Sequence, residues 1–297
     1  MRVRIGSMNL EGGGVDDGND RRWRAAVDFL QAQELGALML QEAKWLDRDN
    51  SRLMRTARAL GMVARPTSMQ GIGDTGHRLV TFYHPDVFVP LAETERGAPF
   101  WHARLSLPVQ PKHMPDATPL KLVHRHGPPF DPVQRLGEVH YDVGFAGKPA
   151  LLGGDWNCIP PGDPDLVWDG WQNWQPPKRR ELEYQALKDR LGNFVLKDGK
   201  PMADRRPAEM LIRNGLLDVG AELDDRRPTA GLDGSKTGPR RIDRFHADTS
   251  LFEQGIIVGY DYLGDPEHAL TFTDHAPIYT ELDLQRFPLN GAAASNF

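Results

Sequence analysis

At 297 residues, 39% of them hydrophobic, the chain can bury a sizeable core, as one large domain or two small ones. Charged residues make up 26% and the formal net charge is −5, which argues against coating nucleic acid through bulk charge while leaving room for a local basic rim. A single cysteine, Cys158, excludes an internal disulfide and a cysteine-built zinc site, and residues 1–14 hold no long apolar stretch, so the chain reads as cytoplasmic with no membrane span.

The elements follow in chain order. Residues 3–9 form a short apolar run that ends in glycines, as a core strand does. Residues 20–35 place Trp23, Ala26, Val27 and Leu30 at helical spacing, with Asp20 as the cap. Residues 37–40 are continuously apolar, a buried strand, and a second helix covers 50–60. Strands are expected at 79–83, 101–107 and 120–126, with a proline-rich loop at 110–118. A helix at 132–143 and a buried strand at 150–153 come next. Residues 159–177 read as an inserted surface loop, followed by helices at 179–191 and 206–214 and a polar, basic loop at 224–240. Strands return at 242–247, 255–258 and 276–282, and residues 288–297 read as a frayed tail. Helices alternate with strands early, and strand pairs without helices intervene, so a mixed α/β sandwich fits better than a wound parallel sheet. The expected organisation is a single catalytic domain over residues 1–287 with insertions near 159–178 and 224–240.

Acidic and amide side chains recur at strand ends: Asn9 and Glu11, Glu42, Asp155 and Asn157, Asp243, and Asp274 with His275. Each alone has a plainer reading. Glu42 could be an edge residue or helix cap, 154–157 an Asx turn, Asp274-His275 a cap with a surface histidine, and Asp243 a local ion partner of Arg241. Together they could supply hard oxygen ligands, which suit Mg2+, Mn2+ or Ca2+ rather than zinc.

The ordered set Ser-Met-Asn-Leu-Glu (7–11), Leu-Gln-Glu (40–42), Gly-Gly-Asp-Trp-Asn (153–157), Arg-Ile-Asp (241–243) and Thr-Asp-His-Ala-Pro (273–277) resembles the endonuclease/exonuclease/phosphatase superfamily over residues 3–283. The resemblance implies a four-layer α/β sandwich of two packed mixed β-sheets flanked by helices, with a hydrolytic site at one end of the sheets. It implies Mg2+, replaceable by Mn2+, held by Glu42 and Asn9 with Glu11 and Asp274 as further acidic positions. Asp155 would orient or deprotonate the attacking water, Asn157 hold a phosphate oxygen, Asp243 orient histidine or hold metal, and His275 contact the scissile phosphate. At 123–129, His126 matches the position of a further catalytic histidine better than His124 does. Where DNase I-like members orient that histidine with a carboxylate, this chain offers His77 and Arg78, either of which could contact phosphate.

Two insertions bear on substrate. Trp168, Trp171 and Trp174 could stack on bases or pack on the core. The run through Arg226, Arg227, Lys236, Arg240 and Arg241 could grip flanking phosphates or be a solvated loop. The expected function is a Mg2+-dependent nuclease acting on DNA or RNA, with the alternative of a phosphatase or phosphodiesterase for a small phosphorylated metabolite or lipid head group. A non-catalytic binding protein would have lost ligands, and every expected carboxylate is present.

Overall fold

The computed structural model describes residues 1–44, 50–73, 76–166, 182–232 and 238–289. Two sheets are stacked face to face. The first runs β14 (Ile257–Tyr262), β15 (Ile278–Asp283), β1 (Arg2–Asn9), β2 (Leu35–Gln41), β4 (Val80–Tyr83) and β3 (Val63–Pro66). The second runs β12 (Leu216–Asp218), β13 (Asp243–Asp248), β9 (Ala150–Asp155), β8 (Leu120–His126), β7 (Arg104–Pro111) and β5 (Phe88–Pro90), with β6 (Thr94–Arg96) also paired to β7. A small hairpin, β10 (Leu196–Lys197) and β11 (Lys200–Pro201), stands apart.

Period-two alternation explains the sandwich. Val3 and Ile5 of β1 and Ala37 and Met39 of β2 point inward to meet Leu107, Val109, Leu120, Leu122, Leu151, Phe245 and Ala247 of the other sheet. The opposite faces are covered by helices. Trp23, Ala26, Phe29 and Leu30 of α1 (Arg21–Gln31) and Leu53 and Ala57 of α2 (Ser51–Leu60) pack on Leu38, Leu40 and Phe82. Val139 of α3 (Pro132–Asp142) and Ala208 and Leu211 of α4 (Arg206–Arg213) pack on Val123, Ala150 and Leu152. The result is helix–sheet–sheet–helix, the four layers expected. With both faces covered, β2 is buried at all its positions, and each such leucine contributes about 2 kcal/mol through burial.

Chain direction gathers the site at one end. β1 and β2 are parallel, as are β8 and β9, while β13 runs antiparallel to β9 and β15 antiparallel to β1. The C-terminal ends of β1, β2, β8 and β9 therefore share a rim with the starts of β13 and β15.

Several local expectations are corrected. Asp20 stands at the start of α1 without capping it; its carboxylate takes Arg24 instead. The strand expected at 101–107 begins at Arg104 and continues to Pro111, into the expected loop, because β5 and β6 supply its ladder. Of the helix expected at 179–191, only residues 182–183 of the described part are helical, and Ala186 and Lys188 instead bridge Ala203 and Phe194. Residues 159–166 form a loop exposed at Gly162, Pro164 and Asp165 but anchored at its ends, where Ile159 and Leu166 join Leu182, Ala186, Ala203 and Ile242 in a satellite core. Pro288 accepts from the Thr118 N–H, so the tail is tied down that far. Among the described residues, no helix is long and apolar enough to cross a membrane.

Candidate active site

Asn9 ends β1, Glu42 follows β2, His126 ends β8, Asp155 ends β9 and Asp243 opens β13. His275 lies three residues before β15. Asp155 and Asp243 are direct neighbours across the β9–β13 ladder, and His126 pairs with Asp155 across β8–β9. The close approach of β8 and β9 requires Gly154: its φ is 143°, and a Cβ there would fall 1.8 Å from the Arg125 carbonyl oxygen. Glu42 and Asn157 have positive φ (61° and 50°), the kind of sparsely populated backbone that clusters at functional sites.

Asn9 joins the two halves. Its Nδ2 donates to Glu42 Oε1 at 3.2 Å and to Asp155 Oδ2 at 3.3 Å, and its Oδ1 accepts from the Glu11 N–H. Glu42 Oε2 accepts from Gly12 N at 2.8 Å and lies 3.1 Å from His77 Nδ1. Burial opposes ionisation of Glu42, but His77, the charge of His126 and the Gly12 N–H outweigh it and hold the carboxylate far below the usual range. Asp155 Oδ1 accepts from Asn157 N at 2.8 Å. Burial, and then the charge of Asp243, push the Asp155 carboxyl up to about 7.

Asp243 Oδ2 accepts from His275 Nδ1 at 2.7 Å, and its other oxygen is buried with no protein partner. Burial disfavours the imidazolium, yet the carboxylates of Asp243 and Asp274 raise the His275 pKa well above its ordinary value. His126 is the opposite case. Burial pulls it down to about 4, so the ring is neutral at pH 7, with Nε2 3.7 Å from Asp155 Oδ2 and 3.9 Å from Glu42 Oε1.

The donors fit a small divalent cation. The Asn9 amide nitrogen, which carries partial positive charge, sits between two carboxylates, a position that equally suits a metal ion. Asp243 Oδ1 is an orphaned buried acceptor, and Asp155, Asp243 and His275 offer ligand atoms within 4.8 Å of one another. Glu11 and Asp274 occupy the outer rim: Glu11 pairs with Arg22 at 3.2 Å, and Asp274 lies 3.8 Å from His275 Nε2. Asn157 Nδ2 donates to the Gly127 carbonyl at 3.1 Å, which uses one of its two amide hydrogens.

His124 lies on the same strand face as His126 but deeper, where it accepts from Gln41 Nε2 at 2.7 Å and donates Nδ1–H to Thr81. Arg78 donates to the carbonyls of Ser68 and Met69 and so fastens that loop. Arg241, expected at the substrate, is 2% exposed, and both sides of its guanidinium are taken by Asp163 and Asp218 at 2.8–3.1 Å. Four of its five N–H donors are taken by two buried carboxylates, and its burial keeps the fifth from solvent. Arg226 likewise pairs with Asp163, and Arg227 with Asp225 and Asp261. Arg240 is half-buried, its backbone bridged to Ala230. Trp168, Trp171, Trp174 and Lys236 lie outside the described residues.

Two site residues escaped the sequence reading. His102 stacks on His126 with ring centroids 4.0 Å apart and planes at 13°, and His77 stacks against His102 at 5.9 Å. Its only signal was a lone histidine before a strand. Thr229, fully buried, accepts from the N–H groups of Ile242 and Asp243 at 3.1 and 3.0 Å, and its carbonyl accepts from Ala276 N at 2.7 Å. It thereby ties the start of β13 to the His275 segment.

No family model matches the chain, and neither does any curated protein sequence. Solved structures do match in fold. An AP endonuclease from Archaeoglobus fulgidus superposes with a TM-score of 0.62 at 15% identity, covering 95% of this chain and 99% of that one. A mannosyl-6-phosphatase from Bacteroides thetaiotaomicron gives 0.60 at 15% identity over 95% and 99%. An endonuclease/exonuclease/phosphatase family protein from the same organism gives 0.60 at 14% identity over 95% and 97%. The chain has the fold of that superfamily.

Proposed function

We propose that this chain is a divalent-metal-dependent phosphoesterase, with Mg2+ as its ion and Mn2+ able to replace it. The observation that carries the reading is the Asp243–His275 contact of 2.7 Å set beside Asp155 at the rim where Glu42 and Asn9 converge. A cation held by Glu42 and Asn9 would supply Lewis-acid offset of the charge on phosphate. The remaining work belongs to side chains. Asp155, its carboxyl poised near neutrality, orients the attacking water and takes its proton as the new P–O bond forms; the bond from phosphorus to the ester oxygen breaks, and a bound cation would offset the charge on the leaving oxygen. Asp243 accepts Nδ1–H of His275, which aims Nε2–H outward as a charged donor to a phosphoryl oxygen. The second amide hydrogen of Asn157 and neutral His126 add hydrogen bonds without adding charge.

The choice between polymer and small ester turns on cations. Nuclease action on DNA or RNA was expected partly from the basic run 226–241, but Arg226, Arg227 and Arg241 are occupied by internal carboxylates. With a net charge of −5 as well, a phosphate ester of nucleotide size is favoured over a duplex gripped along its backbone.

Incubation with Mg2+ and a panel of plasmid, single-stranded DNA, RNA and small phosphomonoesters and diesters tests both levels. Hydrolysis of small esters, abolished by Glu42→Gln together with Mn2+ binding by calorimetry, supports the reading. Cleavage of plasmid alone would shift the substrate to polymer, and inactivity across the panel would refute the phosphoesterase reading itself.

A further inference from the structure

From His126 a run of aromatic rings that the chemistry above leaves unused leads outward through His102 and Trp101 to Phe130. The strand ends in Gly127-Pro128-Pro129-Phe130, and Phe130 is 53% exposed. Its ring is nonetheless fixed from two sides, by Tyr184 at 4.7 Å and 71° and by Trp101 at 6.1 Å and 82°. Edge-on neighbours hold an aromatic ring without covering both of its faces.

The supports of this wall are buried. Arg135, 1% exposed, donates to the Pro128 carbonyl at 2.7 Å and to the Tyr184 carbonyl at 2.5 Å, and so holds both sides of Phe130. The Trp101 N–H donates to Glu138 of α3. Loop residues 72–73 lie along Trp101: Ile72 N donates to the Phe100 carbonyl, Gly73 N to the Trp101 carbonyl, and a Cβ on Gly73 would fall 2.1 Å from the indole. Trp101 leads directly into His102, the ring stacked on His126. His102 is 3% exposed, yet neither of its nitrogens has a protein partner.

Exposing a large apolar ring and immobilising it are both unfavourable in isolation. The fold accepts both costs at one place, continuous with the residues that would meet phosphate. The described cations of the basic run are already paired, so affinity for the organic part of a substrate must come from other contacts. We propose that Phe130 and Trp101, beside the buried His102–His126 stack, form a ring-binding subsite that stacks the nucleobase of a nucleotide ester whose phosphate lies at His126 and His275. This deepens the phosphoesterase reading and rests on it for the position of the phosphate.

The test uses substrates that differ only in the base: adenosine 5′-monophosphate against ribose 5-phosphate, each as monoester and as methyl diester, with Mg2+. The ratio of kcat/KM for base-bearing over base-free ester should favour the base. It should fall about tenfold in Phe130→Ala and recover in Phe130→Trp. A Phe130→Ala ratio equal to that of the wild-type protein overturns the subsite. If the wild-type protein turns over none of these esters, the phosphoesterase reading is judged separately on the wider panel above, and calorimetric binding decides the subsite. Tighter binding of adenosine 5′-monophosphate than of ribose 5-phosphate, lost in Phe130→Ala, supports it; equal binding overturns it.

Discussion

Asp243 and His275 are 32 residues apart in the chain and 2.7 Å apart in space, joined by an Nδ1–H to carboxylate hydrogen bond. The bond fixes the imidazole tautomer and favours its charged form. Asp243→Asn would present an amide hydrogen to Nδ1 and force the other tautomer. A fall in kcat of about 10^2- to 10^4-fold with little change in KM is expected. Steady-state kinetics on a hydrolysed ester measure this, and a kcat near wild type would remove the dyad from the chemistry.

Thr229 should act through that dyad. Its hydroxyl accepts two backbone N–H groups at the start of β13, and its carbonyl takes the N–H after His275. Thr229→Ala would leave two buried donors unsatisfied, at a cost of about 1–3 kcal/mol each. The expected result is a kcat lowered about tenfold or more and altered 15N imidazole signals of His275, both restored by Thr229→Ser. Unaltered imidazole signals in the alanine variant would reduce Thr229 to a purely structural role.

Arg241 belongs to stability rather than to substrate. It is clamped between Asp163 and Asp218, and removing it takes the bridging cation from two buried carboxylates, leaving only Arg226 beside Asp163 and Arg244 beside Asp218. Arg241→Ala should lose about 3–5 kcal/mol in urea unfolding. A phosphate-gripping arginine would behave differently, raising KM while stability stayed within about 0.5 kcal/mol of wild type, and that pattern would restore the substrate role.

Acid should destabilise the protein as its buried histidines take up protons. His246 is fully buried; burial, opposed in part by Asp218, pushes its pKa down to about 4. Burial also lowers His102, His124 and His126. A depressed histidine pKa contributes stability that is complete above the unfolded value of about 6.5 and is lost as pH falls through the folded value. For His246 that loss is about 3 kcal/mol over the window from pH 6.5 to 4. His275 has the opposite sign: its raised pKa contributes fully below about 6.5 and is lost only as pH rises through the folded value. Unfolding free energy followed by urea titration at successive pH values should therefore decline below pH 6.5, and less steeply in His246→Phe. Equal slopes in the two proteins would contradict a neutral buried His246.

Periodicity pointed to a mixed α/β sandwich, and the resemblance carried by the ordered motifs implied its two packed sheets. The alternation in β1 and β8, the unbroken apolar run of β2 and the 3.6-residue spacing of α1 each state which faces must leave water, and two covered sheets are what such faces can build. The ordered motifs likewise named Glu42, Asp155, Asp243 and His275 in advance, because each motif is a local string. What the tertiary structure decided were pairings between distant segments. Whether Arg241 meets phosphate or Asp218, whether His102 stacks on His126, and whether Thr229 reaches Asp243 depend on which strand ends are brought side by side. Charge and hydrogen-bonding capacity are visible in a sequence; the partner that satisfies them is set only when burial removes water as the competing partner.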